Sequence, residues 1–194
     1  MKKANDTMAS GTLRVKYRNK ETNQWDGKGV IILPDGSLYE GYTKYGKANG
    51  FGRLIHANGD VYLGNWVNDK ANGKGKYIHF DGTVYDGDWL NDKQHGIGIE
   101  LWEDGSYYEG EYISGQKSGK GTFKWTDGSE YVGNFLDNNI HGKGTYKWSD
   151  NRTYMGEWMN NKMHGYGVFE WPDGKKYTGM YVGDKREGKG VMEW

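Results

Sequence analysis

His95, His141 and His164 each stand directly before a Gly-x-Gly word. Imidazoles at a fixed interval are candidate zinc ligands, but the spacing refuses a shared ion. Equivalents on neighbouring hairpins lie about 10 Å apart, whereas zinc needs each nitrogen at about 2.1 Å. They read as turn-packing histidines. The Gly-x-Gly is no phosphate cradle either, because no helix follows to aim amides at an anion. No Ser-His-Asp or Cys-His order stands out, and paired carboxylates occur only as turn Asp. The chain therefore reads as non-enzymatic, with no cofactor and no metal. Two binding chemistries remain. Lys74, Lys120, Lys143 and Lys189, preceded by Lys28, sit between paired glycines, where a row of cations is a candidate site for acidic phospholipid headgroups. Phe51, Ile97 and Tyr166 interrupt that row and neighbouring Asp and Glu offset it, so solvated lysines that blunt a sheet are the plainer reading. The sharper candidate is aromatic. Tyr62 and Trp66, Tyr85 and Trp89, Tyr108 and Tyr112, and Tyr131 and Phe135 recur as pairs four residues apart. On one face they would line a groove for a helix or an extended peptide; alternatively they stack only on each other.

What must position these rings is a repeat. Gly36, Gly59, Gly82, Gly105, Gly128, Asn151 and Gly174 recur every 23 residues. Tyr39, Tyr62, Tyr85, Tyr108, Tyr131, Tyr154 and Tyr177 keep the same register. All glycines except Gly11, Gly46, Gly115 and Gly183 fall in four such columns. Within a copy, Asn-Gly or Asp-Gly between alternating segments is a strong hairpin signal. Tyr131, Gly133 and Phe135 alternate on one strand, and Gly144, Tyr146 and Trp148 on the next, so each set shares a face. The polar tip "DNNIH" (137–141) reads as a solvated turn, where substitution costs little. A glycine between two rings leaves a slot in which a ring lies on bare backbone. The spacing thus predicts an all-β, elongated, single-layer antiparallel meander of 23-residue hairpins. Residues 1–10 read as a disordered leader and 11–34 as a diverged half-repeat. Seven copies follow: 35–57, 58–80, 81–103, 104–126, 127–149, 150–172 and 173–194.

Composition fits this picture. Leu, Ile, Val and Phe are scarce, while 16 Tyr and 9 Trp supply the apolar surface. Basic and acidic residues balance at 26 each, which argues against a general nucleic-acid binder. There is no Cys, which excludes disulfides and fits a reducing, cytoplasmic compartment. No apolar run approaches the roughly 20 residues of a membrane-spanning helix.

The words "YLGNWVNDKANGKG" (62–75) and "YMGEWMNNKMHGYG" (154–167) resemble the MORN (membrane occupation and recognition nexus) repeat. Thr43, Gln116, Asn139 and Glu100 depart from the pattern locally. The resemblance implies a curved single-layer sheet and a scaffold or adaptor role in a cytoskeletal or ciliary assembly. Its partners would be proteins, or acidic phospholipids at a membrane surface. It also implies two alternatives: a membrane-apposing module, or the regulatory module of a larger enzyme such as a lipid kinase. The last strand, 190–194, reads as an unpaired edge that either frays or joins two copies tail to tail as a homodimer.

Overall fold

The computed structural model describes residues 12–15 and 26–194. The expected leader, and part of the expected diverged half-repeat, lie outside the described residues. Every described element is a strand. Sixteen strands form one antiparallel sheet in strict chain order, from β1 (Thr12–Val15) to β16 (Lys185–Glu193). From β3 (Leu38–Lys44) onward, strands of 7 and 9 residues alternate. By its contacts the chain divides into two compact units, Met1–Gly96 and Ile97–Trp194.

One hairpin shows why the repeat folds. β5 (Val61–Val67) and β6 (Lys70–Ile78) are joined by Asn68 and Asp69, both left-handed (φ 50° and 69°). A two-residue turn of this hand matches the strand twist, and Asn and Asp tolerate it best after glycine. The Asn-Gly and Asp-Gly words occupy the wider connections instead. There the Gly59 N–H donates to the His56 carbonyl (2.9 Å) and the His56 N–H to the Asp60 carbonyl (2.8 Å).

The tips are not the inert solvated turns that the sequence suggests. In the first unit, the Asp92 N–H donates to the Ala71 carbonyl (3.1 Å), and the Asp92 side chain accepts the Ala71 N–H in return (2.7 Å). Asp69 clasps Ala48 in the same way. In the second unit Asn138 clasps Lys117, Asn161 clasps Ile140 and Asp184 clasps Met163. Each clasp ties a hairpin tip to the preceding hairpin.

Glycines meet glycines across the sheet. Gly52 lies opposite both Gly41 and Gly64, and Gly144 opposite both Gly133 and Gly156. Tyr39, Tyr62, Tyr108, Tyr131, Tyr154 and Tyr177 each lay a ring over such a pair. A Cβ built on Gly41 would fall 2.5 Å from both Gly52 Cα and the Tyr39 hydroxyl. The slot expected from the sequence is therefore present, and the tyrosine itself fills it. The ring is anchored beyond the slot, since the Tyr62 hydroxyl donates to the Asn65 carbonyl and that of Tyr131 to the Asn134 carbonyl, both at 3.0 Å.

Aromatic residues take the place of an aliphatic core. In the first unit the core is Ile31, Tyr39, Ala48, Leu54, Tyr62, Trp66 and Ala71. Tyr62 is packed edge-on by Trp66 (4.9 Å) and by Trp89 of the next hairpin (5.2 Å). In the second unit Tyr131 is packed edge-on by Phe135 (5.2 Å) and Trp158 (5.7 Å). Such pairs contribute about 0.5–1.5 kcal/mol each beyond the area they bury.

Candidate functional site

Alternation along β5 and β7 (Val84–Leu90) brings Tyr62, Trp66, Tyr85 and Trp89 to one face of the first unit. Tyr62, Trp66 and Tyr85 are buried there and Trp89 is half-buried. In the second unit β9 (Tyr107–Ile113) and β11 (Glu130–Leu136) carry Tyr108, Tyr112, Tyr131 and Phe135, all buried. These rings spend most of their surface on one another. The indole N–H groups are spent too: Trp66 donates to the Gly52 carbonyl (3.2 Å) and Trp89 to the Gly75 carbonyl (2.9 Å).

What stays open on this face of the first unit is a cavity of about 480 Å³. Tyr62, Trp66, Tyr77 and Trp89 give it aromatic walls, and Leu33 and Leu54 add aliphatic ones. Ala71, a small residue, belongs to the same lining. Its polar residues are Ser37, His56 and three carboxylates, Asp35, Asp69 and Asp92. The sequence reading missed most of these. The carboxylates belong to turns, and only pairing of successive hairpins brings them beside the rings.

Electrostatics follow from burial and from the turns. Asp35 accepts the Ser37 N–H (2.9 Å) and hydroxyl (3.0 Å), which hold its carboxyl below the usual range. Burial pushes the Tyr62 hydroxyl well above its ordinary value, and the nearby Asp92 charge adds to this. Tyr77 is pushed up to about 12, first by burial and then by its hydrogen bond to Asp60 (2.8 Å).

The candidate lysines lie elsewhere. Lys74, Lys120 and Lys143 neighbour the glycine row, and all four lysines are exposed. Lys74 pairs with Asp88 (2.7 Å), and Lys143 lies opposite Glu157 in the register. The Lys120 N–H donates to Glu111 (2.9 Å). Strand alternation puts these three side chains on the face opposite the tyrosines. Among the described residues no group of three His, Cys, Asp or Glu could hold a metal ion.

The sequence model of the MORN repeat matches eight consecutive stretches: 23–38, 39–61, 62–84, 85–107, 108–130, 131–151, 154–176 and 177–194. The chain belongs to the MORN repeat family. Each full MORN match from 39 onward, except that at 154, begins where the previous one ends, in keeping with the unbroken period. Compared individually, no curated protein matches the chain. Among solved structures it is similar to the SAS-4 (dCPAP) TCP domain of Drosophila melanogaster, in complex with a proline-rich motif of dSTIL. Identity there is 17%, over 89% of this chain and 90% of that one, with a TM-score of 0.49. The TCP10 domain of Danio rerio CPAP, in complex with a STIL peptide, is 14% identical over 88% and 84% of the two chains, with a TM-score of 0.38. The CPAP G-box domain is 14% identical over 95% and 99%, with a TM-score of 0.39.

Proposed function

We propose that this MORN chain is a non-catalytic docking scaffold whose aromatic face takes a helix or extended peptide from a protein partner. The observation that supports it is the open cavity beside Trp66 and Trp89. Most rings of this face are sealed against each other, yet here half-buried Leu33, Tyr77 and Trp89 keep part of their surface open beside the cavity, the usual character of a binding site. Ring edges on a rigid sheet offer contact area at low cost in conformational entropy. Family membership supports a cytoskeletal or ciliary setting. The alternative of a lipid-binding lysine face has less support, because acidic neighbours offset its cations. The test is a displayed peptide library panned against wild type and against Ala71→Met. Met163 stands in the same repeat column, so the substitution suits the fold while filling the cavity. Peptides that bind wild type and lose the variant support docking here. Peptides that bind both equally place the site elsewhere.

A further inference from the structure

We infer that the cavity of the first unit receives the side chain of a lysine or arginine carried by the docking peptide. This rests on the docking reading above and adds the chemistry of the anchor.

The second unit shows what occupies this place when the chain supplies it. Lys117 lies with its ammonium 4.8 Å from the Trp102 ring centre, 5.2 Å from Tyr108 and 5.5 Å from Tyr112. The same nitrogen is 2.6 Å from a Glu100 oxygen. Three repeats later, Arg186 takes the same column, 5.1 Å from Trp171 and 4.4 Å from Tyr177. A cation over ring faces beside a carboxylate is a favourable and specific arrangement.

Two repeats before Lys117, the column holds Ala71. The surrounding positions translate as well: Trp102 becomes His56, Tyr108 becomes Tyr62, Tyr112 becomes Trp66, and Glu100 becomes Leu54. All of these line the cavity. The space that Lys117 fills in its own repeat is here left open by an alanine methyl. The carboxylate is not lost but moved, since Asp35, Asp69 and Asp92 enter the lining, and neither Lys nor Arg does. Aromatic walls with three acids, one imidazole and neither lysine nor arginine are complementary to a cationic side chain with an apolar stem. Lysine and arginine have that stem, which would lie along Leu33 and Leu54.

The test uses the full chain and two blocked tripeptides, leucine-lysine-leucine and the same peptide with Nε-acetyllysine. The readout is the indole N–H resonances of Trp66 and Trp89, assigned with Trp→Phe variants, with Trp158 as the reference. The lysine peptide is expected to shift Trp66 and Trp89, not Trp158, and to bind about fivefold or more tighter than its acetylated form. Ala71→Lys, which supplies the cation in place, is expected to abolish the shifts. Asp69→Asn with Asp92→Asn is expected to weaken lysine binding and bring it level with acetyllysine. Asn keeps the clasp there, as Asn138 and Asn161 do in their own repeats, so this variant tests charge should Ala71→Lys fail to fold. Equal shifts from both peptides in wild type would overturn the cation anchor while leaving apolar docking in place. Binding of the lysine peptide unchanged by the double Asn variant would also overturn it. Shifts from neither peptide would overturn this anchor, and the panning experiment would then decide the docking reading separately.

Discussion

Gly133→Ala is the substitution that most sharply separates packing from backbone freedom. A Cβ there would fall 2.5 Å from Gly144 Cα and 2.6 Å from the Tyr131 ring. The first neighbour is backbone of the adjacent strand and cannot swing away. The second is a ring pinned by its hydroxyl to the Asn134 carbonyl and packed by Phe135 and Trp158. Overpacking of this kind costs about 1–3 kcal/mol, and displacing the ring forfeits part of two pairs at about 0.5–1.5 kcal/mol each. The expected loss is about 3 kcal/mol. With a urea slope of about 1–3 kcal/mol/M, the midpoint falls by roughly 1 M or more. Gly128→Ala is the control: its φ is 86°, and nothing lies within 4 Å of an added Cβ. It pays left-handed strain of about 1–2 kcal/mol, partly offset by a stiffer unfolded chain. Urea titration followed by tryptophan fluorescence compares the two. A Gly133→Ala midpoint equal to wild type, or a larger loss from Gly128→Ala, would refute the account of the ring in its glycine slot.

Three further outcomes are expected. Asp92→Ala strands the Ala71 N–H and costs about 1–3 kcal/mol, whereas Asp92→Asn keeps the acceptor and costs little; thermal melts of both variants check this. The carboxyls of Asp35, Asp60, Asp104 and Asp127 are held below their ordinary 3.8 by hydrogen bonds in the fold. Their contribution is therefore complete above the unfolded value and lost as pH falls through the lower folded values, so on their account midpoints should decline only in that acid window; a flat acid limb would count against it. Co-sedimentation with vesicles of acidic phospholipid should be weak and vanish at about 0.15 M salt, as offset surface charges imply; retention at high salt, lost when Lys74, Lys120, Lys143 and Lys189 are neutralised, would revive the lipid reading.

The period was legible because each column answers one geometric demand. Tyr131 needs bare backbone beneath it at Gly133 and Gly144, and each turn needs a left-handed residue. Strand order then follows from short connections alone. The clasps were not legible. Asn138 and Asp92 look like solvent-facing tip residues, and nothing local says that they hold a backbone amide 21 residues earlier. The candidate rings were legible as a set, but their exposure was not. Tyr62 and Tyr131 are sealed by neighbours from the next hairpin, which a single copy does not reveal. The cavity lies in a column that varies between copies, Ala71 where Lys117, Met163 and Arg186 stand elsewhere, so the departures from the repeat held the information.

The central claim is that the tyrosine face docks a partner, and the most direct measurement is an NMR footprint of a panned peptide on the isotope-labelled full chain. The account predicts shifts centred on the Trp66 and Trp89 indole N–H groups and the Tyr77 ring, with the opposite-face residues Leu63, Lys74 and Lys76 unmoved. A footprint centred on Leu63, Lys74 and Lys76, with both indoles unmoved, would contradict it.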